Sequence, residues 1–151
     1  MAKKRGAYFK MLDKTMKSVV QEEKTGCAIA SAAVLGRTSY KEIKKVANSI
    51  GIFADDPALW SETAYIRKLL LQFGIKTDVK ETPFTRWDSL PDVALLSIKW
   101  HLEKGKPFWH WVVFVRENGE EVVFDSSIRL KTNIRKDFGR MSPRWFIGVD
   151  L

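Results

Sequence analysis

The chain of 151 residues is 45% hydrophobic and 12% aromatic, which is enough apolar material for one domain to build its own core. This composition excludes intrinsic disorder, and no apolar run in the sequence approaches the roughly 18 residues that suggest a membrane span. One cysteine excludes an intramolecular disulfide and, beside only two histidines, a structural zinc site. We predict one domain that folds without metal or cofactor.

The formal charge of +8 is concentrated at one end of the chain, because residues 1–20 contain six basic side chains and one acidic one. We predict a basic N-terminal arm over residues 1–20 that aids solubility; contact with nucleic acid through the arm is the alternative. The first ten residues are basic but lack the apolar segment of a signal peptide. We therefore expect a soluble, cytoplasmic chain, with export by a signal-free route left open.

The N-terminal half has helical patterns. Residues 26–36, GCAIASAAVLG, form a segment of small apolar residues that predicts a buried helix. Ser39 and Glu42 have the spacing of a capping box, and the following segment, with apolar residues at helical spacing, extends to Gly51. A third helix is predicted from Ser61 until Gly74.

The C-terminal half has strand patterns. Strands are predicted over residues 75–80, 93–102 and 145–150, and two further runs flank Asn118-Gly119, the preferred sequence of a type I′ hairpin turn. Residues 131–143 are expected to form a polar loop. Because helices and strands are segregated along the chain, we predict an α+β fold with the helices packed on an antiparallel sheet.

Cys27 is the candidate nucleophile. A lone cysteine in an alanine-rich segment is more commonly a small buried apolar residue. Here, however, Gly26 and Cys27 stand at the predicted start of a helix, where unpaired N–H groups and the positive end of the helix dipole favour a thiolate. A reactive thiolate also needs a base, which the sequence must supply elsewhere.

The two histidines differ in context. His101 lies in the charged segment WHLEKGK, so we expect a residue at the surface or strand end, whereas His110 begins the strand HWVVFV and is the better candidate base. In a two-residue hairpin centred on Asn118-Gly119, His110 pairs with Ser127 and Val112 with Asp125. His110 and Asp125 then become diagonal neighbours on one face, so that Asp125 can orient the imidazole.

Gln21 completes the candidate site. It lies six residues before the cysteine, in QEEKTGC, and its carboxamide and the Cys27 N–H can converge as an oxyanion hole if the segment between them loops back. Taken alone, a glutamine before a helix is an ordinary solvated residue.

These segments together resemble the papain-like cysteine peptidases of the double-glycine, bacteriocin-processing type. The likeness runs from QEEKTGCAIASAAVLG through HWVVFV and the Asn-Gly hairpin to FDSS and the last strand. It implies a papain-like catalytic domain over residues 21–151 in which Cys27 is the nucleophile, His110 the base, Asp125 its orienting carboxylate and Gln21 the oxyanion donor.

The sequence also departs from that family. Ala28 and Ser126 replace the usual Gly after the cysteine and Pro after the aspartate. Familiar members are parts of peptide exporters, but this sequence has no phosphate-binding loop of the G-x-x-x-x-G-K-[ST] type. We therefore expect a free-standing enzyme and infer only the reaction, acyl transfer from a peptide, isopeptide or amide bond through a thioester.

Other features have simpler interpretations. Trp109 and Trp111 should pack in the core, although Trp109 can flank the mouth of a cleft. Trp100 lies near the proposed base in sequence, and we expect it either to pack in the core or to line a substrate groove. Asp55-Asp56 is read as a turn before Pro57 and not as a metal site.

Three hypotheses remain open from the sequence. The first is a peptidase or amidase of bacterial or phage type, acting on a peptide or protein and controlled by an inhibitor or immunity protein. The second is a deamidase or transglutaminase-like effector with the same triad. The third is a catalytically silent module that binds peptide or nucleic acid.

Overall fold

A computed structural model of the protein describes residues 9–11 and 14–151. Half of the predicted basic arm, residues 1–8 and 12–13, therefore lies outside the described residues, and the division at residue 20 stays a prediction. Strands β1 (Phe9–Met11) and β2 (Lys14–Met16) pair antiparallel, and Met16 is fully buried in the main core. The chain thus joins the core of the domain before residue 20.

The helices occupy the N-terminal half, as predicted. Helix α1 (Cys27–Gly36) is buried along nearly its whole length because its small side chains allow other elements to approach closely. Helix α2 (Tyr40–Ser49) begins as the capping box predicts, with the Glu42 N–H donating to the Ser39 hydroxyl. Helix α3 (Ala64–Leu71) buries one apolar face.

The predicted start of the third helix at Ser61 is wrong. Residues Pro57–Trp60 form a 3-10 turn, and the Ser61 N–H closes that turn by donating to the Ala58 carbonyl. The chain therefore needs a few more residues before α3 begins at Ala64.

The C-terminal half forms an antiparallel sheet. Its strands are β3 (Lys76–Thr77), β4 (Thr82–Pro83), β5 (Val93–Glu103), β6 (Lys106–Glu117), β7 (Glu120–Phe124), β8 (Ile134–Arg135) and β9 (Trp145–Asp150). Their order is β3-β9-β5-β6-β7-β8, and β4 also pairs with β9. The predicted α+β fold is confirmed, while β8 is a short strand inside the segment that the sequence predicts as a loop.

Both faces of the central strands are covered. The helices pack on one face of β5 and β6 to form the main core. A smaller cluster around Leu96, Phe114 and Met141 covers the other face. Burial on both faces explains why residues 93–98 are apolar except for Ser97 instead of alternating.

In the described part of the chain, each helix is too short or too polar to cross a lipid bilayer.

Candidate active site

The β6–β7 hairpin has the register that its turn sequence predicts. Asn118 and Gly119 both have positive φ angles, 54° and 80°, and Glu117 pairs with Glu120. The ladder ends where Val113 pairs with Phe124. Beyond this pair β6 and β7 are no longer paired with each other, so the neighbouring residues of the two strands can make other contacts.

His110 and Asp125 are in contact at the open end of this hairpin. His110 Nε2 lies 2.7 Å from Asp125 Oδ1, so the predicted contact forms, although the expected pairs His110–Ser127 and Val112–Asp125 are not part of the ladder. The Asp125 side chain is almost fully buried, and the imidazole is mostly buried. Because Nε2 is engaged by Asp125, Nδ1 is the ring nitrogen that remains for another partner.

Cys27 is the first residue of α1, which packs against β6. The Trp111 N–H donates to Cys27 Sγ over 3.5 Å, so the sulfur receives a backbone donor from the residue next to His110. A Cβ on Gly26 would collide with the Tyr40 hydroxyl, so a larger residue there would displace the Tyr40 side chain at the start of α2.

The pKa of His110 reflects these neighbours. Burial lowers the pKa, but the Asp125 carboxylate and the Cys27 sulfur raise it more, to about 9. Burial raises the pKa of Asp125, but the hydrogen bond and charge of His110, with the Ser127 N–H and Arg135, lower it to about 2. The arrangement therefore favours an imidazolium between a carboxylate and the sulfur at neutral pH.

Asp125 has further donors that sequence reasoning missed. Arg135 Nη1 donates to Oδ2 over 3.0 Å, and the Ser127 N–H donates to Oδ1 over 3.0 Å. Arg135 is itself fixed by two hydrogen bonds to Asp137. Two features of the sequence could have indicated Arg135. A buried carboxylate needs several hydrogen-bond donors, and Arg135 and Asp137 lie close together in the segment predicted as a loop.

The Asp125 backbone is fixed as well. Its N–H donates to the Asn133 carbonyl, and Asn133 Nδ2 donates to the carbonyls of Asp125 and Ser127. These bonds join the end of β7 to the start of β8, so the carboxylate is held at both its backbone and its side chain.

Gln21 lies beside the same loop. Its N–H donates to the Ser126 carbonyl, and its Oε1 accepts from the Ser126 hydroxyl over 2.7 Å. Its Nε2 donates to the carbonyls of Glu23 and Lys24, at 3.0 Å each. Among the described residues no acceptor is bonded to the Cys27 N–H. The structure thus brings Gln21 to the site with its amide hydrogens turned into its own loop.

A cleft of about 580 Å³ opens beside His110 and Gln21. Its apolar wall includes Trp60, Phe108 and Trp109, while Cys27 is fully buried and does not line it. Trp109 at the cleft and Trp111 in the core agree with prediction, and both pack edge-on against Trp145.

The remaining candidates are placed away from the thiol. His101 is exposed at the edge of the cleft, as predicted for a surface residue: its hydrogen-bond partners are the Lys99 carbonyl and Glu103, and its ring stacks on Phe108. Asp56 caps the 3-10 turn through the Ala58 N–H, which confirms the turn prediction. Within residues 9–11 and 14–151, no three Cys, His, Asp or Glu side chains are grouped as metal ligands.

Comparison with known proteins identifies the fold. No family model matches the sequence, and a search of curated proteins gives no match. Among solved structures, the peptidase domain of Streptococcus ComA, a bifunctional ABC transporter involved in a quorum-sensing pathway, matches with a TM-score of 0.57 and 16% identity. The match covers 89% of this chain and 97% of that one. The protein therefore has the fold of a peptidase domain, as the resemblance to double-glycine peptidases predicts.

Proposed function

We propose that the protein is a papain-like cysteine peptidase or amidase whose catalytic residues are Cys27, His110 and Asp125. The observation that carries this proposal is the position of His110, which is bonded to a buried carboxylate and lies close enough to the Cys27 sulfur for that sulfur to raise its pKa. A nucleophile, a base near it and an orienting group bonded to the base are the parts that acyl transfer needs.

The reaction begins with attack of the Cys27 thiolate on the carbonyl carbon of an amide. The carbonyl π electrons move to the oxygen, and the Cys27 N–H at the start of α1 is a donor that can face this oxyanion. Gln21 Nε2 becomes the second donor when it turns from the Glu23 and Lys24 carbonyls. The Ser126 hydroxyl holds Gln21 Oε1 and so fixes the position from which the amide turns.

His110 then transfers its proton from Nδ1 to the leaving amine, and the C–N bond breaks to give a thioester on Cys27. Water attacks the thioester while the neutral imidazole accepts a proton, and breaking of the C–S bond releases the acid and restores the thiolate. Asp125 keeps Nε2 protonated throughout. With an amine or a glutamine side chain as reactant, the same steps give transamidation or deamidation.

Burial of Cys27 adds a requirement. Because the sulfur does not line the cleft, a bound peptide must displace a cleft-lining group to reach it. We assign this movement to Gln21, since it lines the cleft and its rotation would supply the second oxyanion donor.

The test is incubation of the full chain with a peptide library, followed by mass spectrometry of the peptides and of the intact protein. We expect cleaved peptides and an acyl adduct on the single cysteine, and the Cys27→Ala variant should give neither. Substitution to alanine removes little volume, so this variant should stay folded. Equal cleavage by the variant would refute the proposal, and an unmodified, inert thiol with no cleavage would favour a silent binding module.

A further inference from the structure

A second concave region adjoins the active-site cleft. It has a volume of about 500 Å³ and is lined by residues 99–100 of β5 and residues 140–144, just before β9. Lys99 lines both this region and the cleft, so the two share a wall. We call the region lined by Lys99, Trp100, Arg140, Ser142 and Arg144 the cationic groove.

The groove depends on an irregular strand. The pairing of β5 with β6 shifts register between Ile98 and His101, and Lys99 has a φ of 55°. On the opposite wall Ser142 has a φ of 44°. Positive φ is uncommon for residues other than glycine, and such conformations cluster at ligand sites. The bulge places Lys99 outside the regular ladder, at the border of the two concave regions.

The charge of the groove is of one sign. Lys99, Arg140 and Arg144 line it, and no acidic residue does. The acid that interacts with Arg140 is Asp137, whose two oxygens are already bonded to Arg135. Within the described part of the chain, no ion pair neutralises Lys99, Arg140 or Arg144.

Arg144 is held in place without an anion. Its guanidinium carbon lies 3.8 Å from the centre of the Trp100 ring, so the flat face of the group is covered by indole while its N–H edges remain for acceptors. A stacked guanidinium loses less freedom on binding a carboxylate than a mobile lysine does, and its fork of donors suits carboxylate oxygens.

We propose that the cationic groove binds acidic side chains of the polypeptide whose amide bond lies in the adjoining cleft. That this polypeptide is a substrate rests on the proposed peptidase function, whereas binding of an acidic peptide does not. The shared wall at Lys99 gives an extended peptide a continuous path from the cleft into the groove.

A peptide fits the groove better than nucleic acid does. Proteins that bind single strands stack bases on open aromatic faces, but Arg144 covers the Trp100 face in this groove. Carboxylates need only the charges and donor edges that Lys99, Arg140 and Arg144 present.

The binding experiment uses fluorescein-labelled hexaglutamate and hexaglutamine with the full-length Cys27→Ala protein. At low salt we expect hexaglutamate to bind at least about tenfold more tightly, with a difference that shrinks as salt rises. The Lys99→Ala/Arg144→Gln variant should lose about tenfold in affinity. The Arg140→Gln variant, which changes an exposed side chain, should show a smaller loss and serves as a second test.

Residues 1–20 also carry positive charge, so a charge-matched control is essential. The Lys41→Ala/Lys45→Ala variant removes two exposed cations from α2, outside both concave regions, and should change affinity less than about twofold. Hexaglutamate should also shift the indole N–H resonance of Trp100, which the Trp100→Phe variant identifies.

The outcomes separate this proposal from the proposed function. Unchanged affinity in the groove variants, an unshifted Trp100 signal, or tighter groove-dependent binding of oligo-dT would overturn the acidic-peptide site. Peptide cleavage that ignores acidic residues would overturn its role in substrate choice and leave the peptidase intact. Groove-dependent binding of hexaglutamate by a chain that cleaves nothing would retain the site and overturn the peptidase.

Discussion

The protein contains two histidine–carboxylate pairs of nearly equal length in very different surroundings. His110 Nε2 lies 2.7 Å from Asp125, and His101 Nε2 lies 2.8 Å from Glu103. The first pair has side chains 14% and 1% exposed, and the second has 51% and 59%. Water screens the exposed pair, while the buried pair interacts at low dielectric. The distance alone therefore does not distinguish a catalytic pair from a surface pair.

The neighbours differ as well. His101 is bonded to groups within two residues of itself, the Lys99 carbonyl and Glu103, and these raise its pKa. His110 connects α1 with the end of β7 through Cys27 and Asp125. A histidine that joins distant elements is held in one orientation, which a proton transfer requires. Four predictions sharpen or break this contrast.

The largest expected difference is in turnover. His110→Ala should lower kcat/KM for any peptide identified as a substrate by about 1000-fold or more, because base and ion-pair partner are both lost. His101→Ala, a matched control with the same side chain removed, should change kcat/KM less than about threefold, through the cleft wall alone. Comparable losses in the two variants would break the contrast.

Asp125→Asn should have an intermediate effect. We expect kcat/KM to fall by about 100-fold, well short of the effect of losing Cys27, because the imidazole remains in place without its carboxylate. Since Asp125 raises the pKa of His110, the alkaline limb of the pH profile should move to a lower pH than in the wild type. A limb that stays in place would show that Asp125 does not control the imidazole.

Arg135 should act as a positioning residue with a smaller effect. Arg135→Gln leaves Asp125 Oδ2 without its charged donor and removes a cation near the imidazolium, so kcat/KM should fall about 3- to 10-fold. The pKa of His110 should rise, and the alkaline limb should move upward, opposite to Asp125→Asn. Arg135→Lys keeps the charge and should restore the limb. A profile unchanged by Arg135→Gln would leave Arg135 a purely structural role.

The smallest expected effect is on stability against pH. His110 has a pKa raised from 6.5 to about 9, so its contribution is fully present below pH 6.5 and is lost as pH rises through 9. Asp125 has a pKa lowered from 3.8 to about 2, so its contribution is present above pH 3.8 and is lost as pH falls through 2. The pair contributes most between these limits.

Thermal unfolding checks this window. Between pH 6.5 and 9 the pair should lose about 1 to 2 kcal/mol, roughly 3 to 6 °C in Tm for a domain of this size. His110→Gln should reduce this slope, while His101→Gln should leave it nearly unchanged. Identical slopes in all three proteins would show that the ion pair adds nothing to stability.

The hairpin explains why part of the site could be predicted from sequence. Asn118-Gly119 fixes a two-residue turn, and the turn fixes which residues of β6 and β7 share a face, so the contact of His110 with Asp125 follows from local rules. The start of α1 at Cys27 can also be predicted from neighbouring residues alone.

The rest of the site depends on distant chain segments. Arg135 reaches Asp125 only because the chain returns as β8 after a loop, and no periodicity in residues 131–143 predicts a strand of two residues. Ser126 stands where the resemblance predicts a proline, and its hydroxyl donates to Gln21 Oε1, 105 residues away in sequence. The hydrophobic pattern of residues 93–102 predicts one regular strand and does not predict the register shift of β5 at Lys99.

The most direct test of the account is the rate at which iodoacetamide alkylates Cys27 at pH 6.5, followed by intact mass. The single cysteine makes the site of reaction unambiguous. We expect wild type and His101→Ala to react at similar rates, and His110→Ala to react at least about tenfold more slowly because its thiol lacks the imidazolium partner. Equal rates in all three proteins would contradict the central claim that His110, and not His101, activates the thiol.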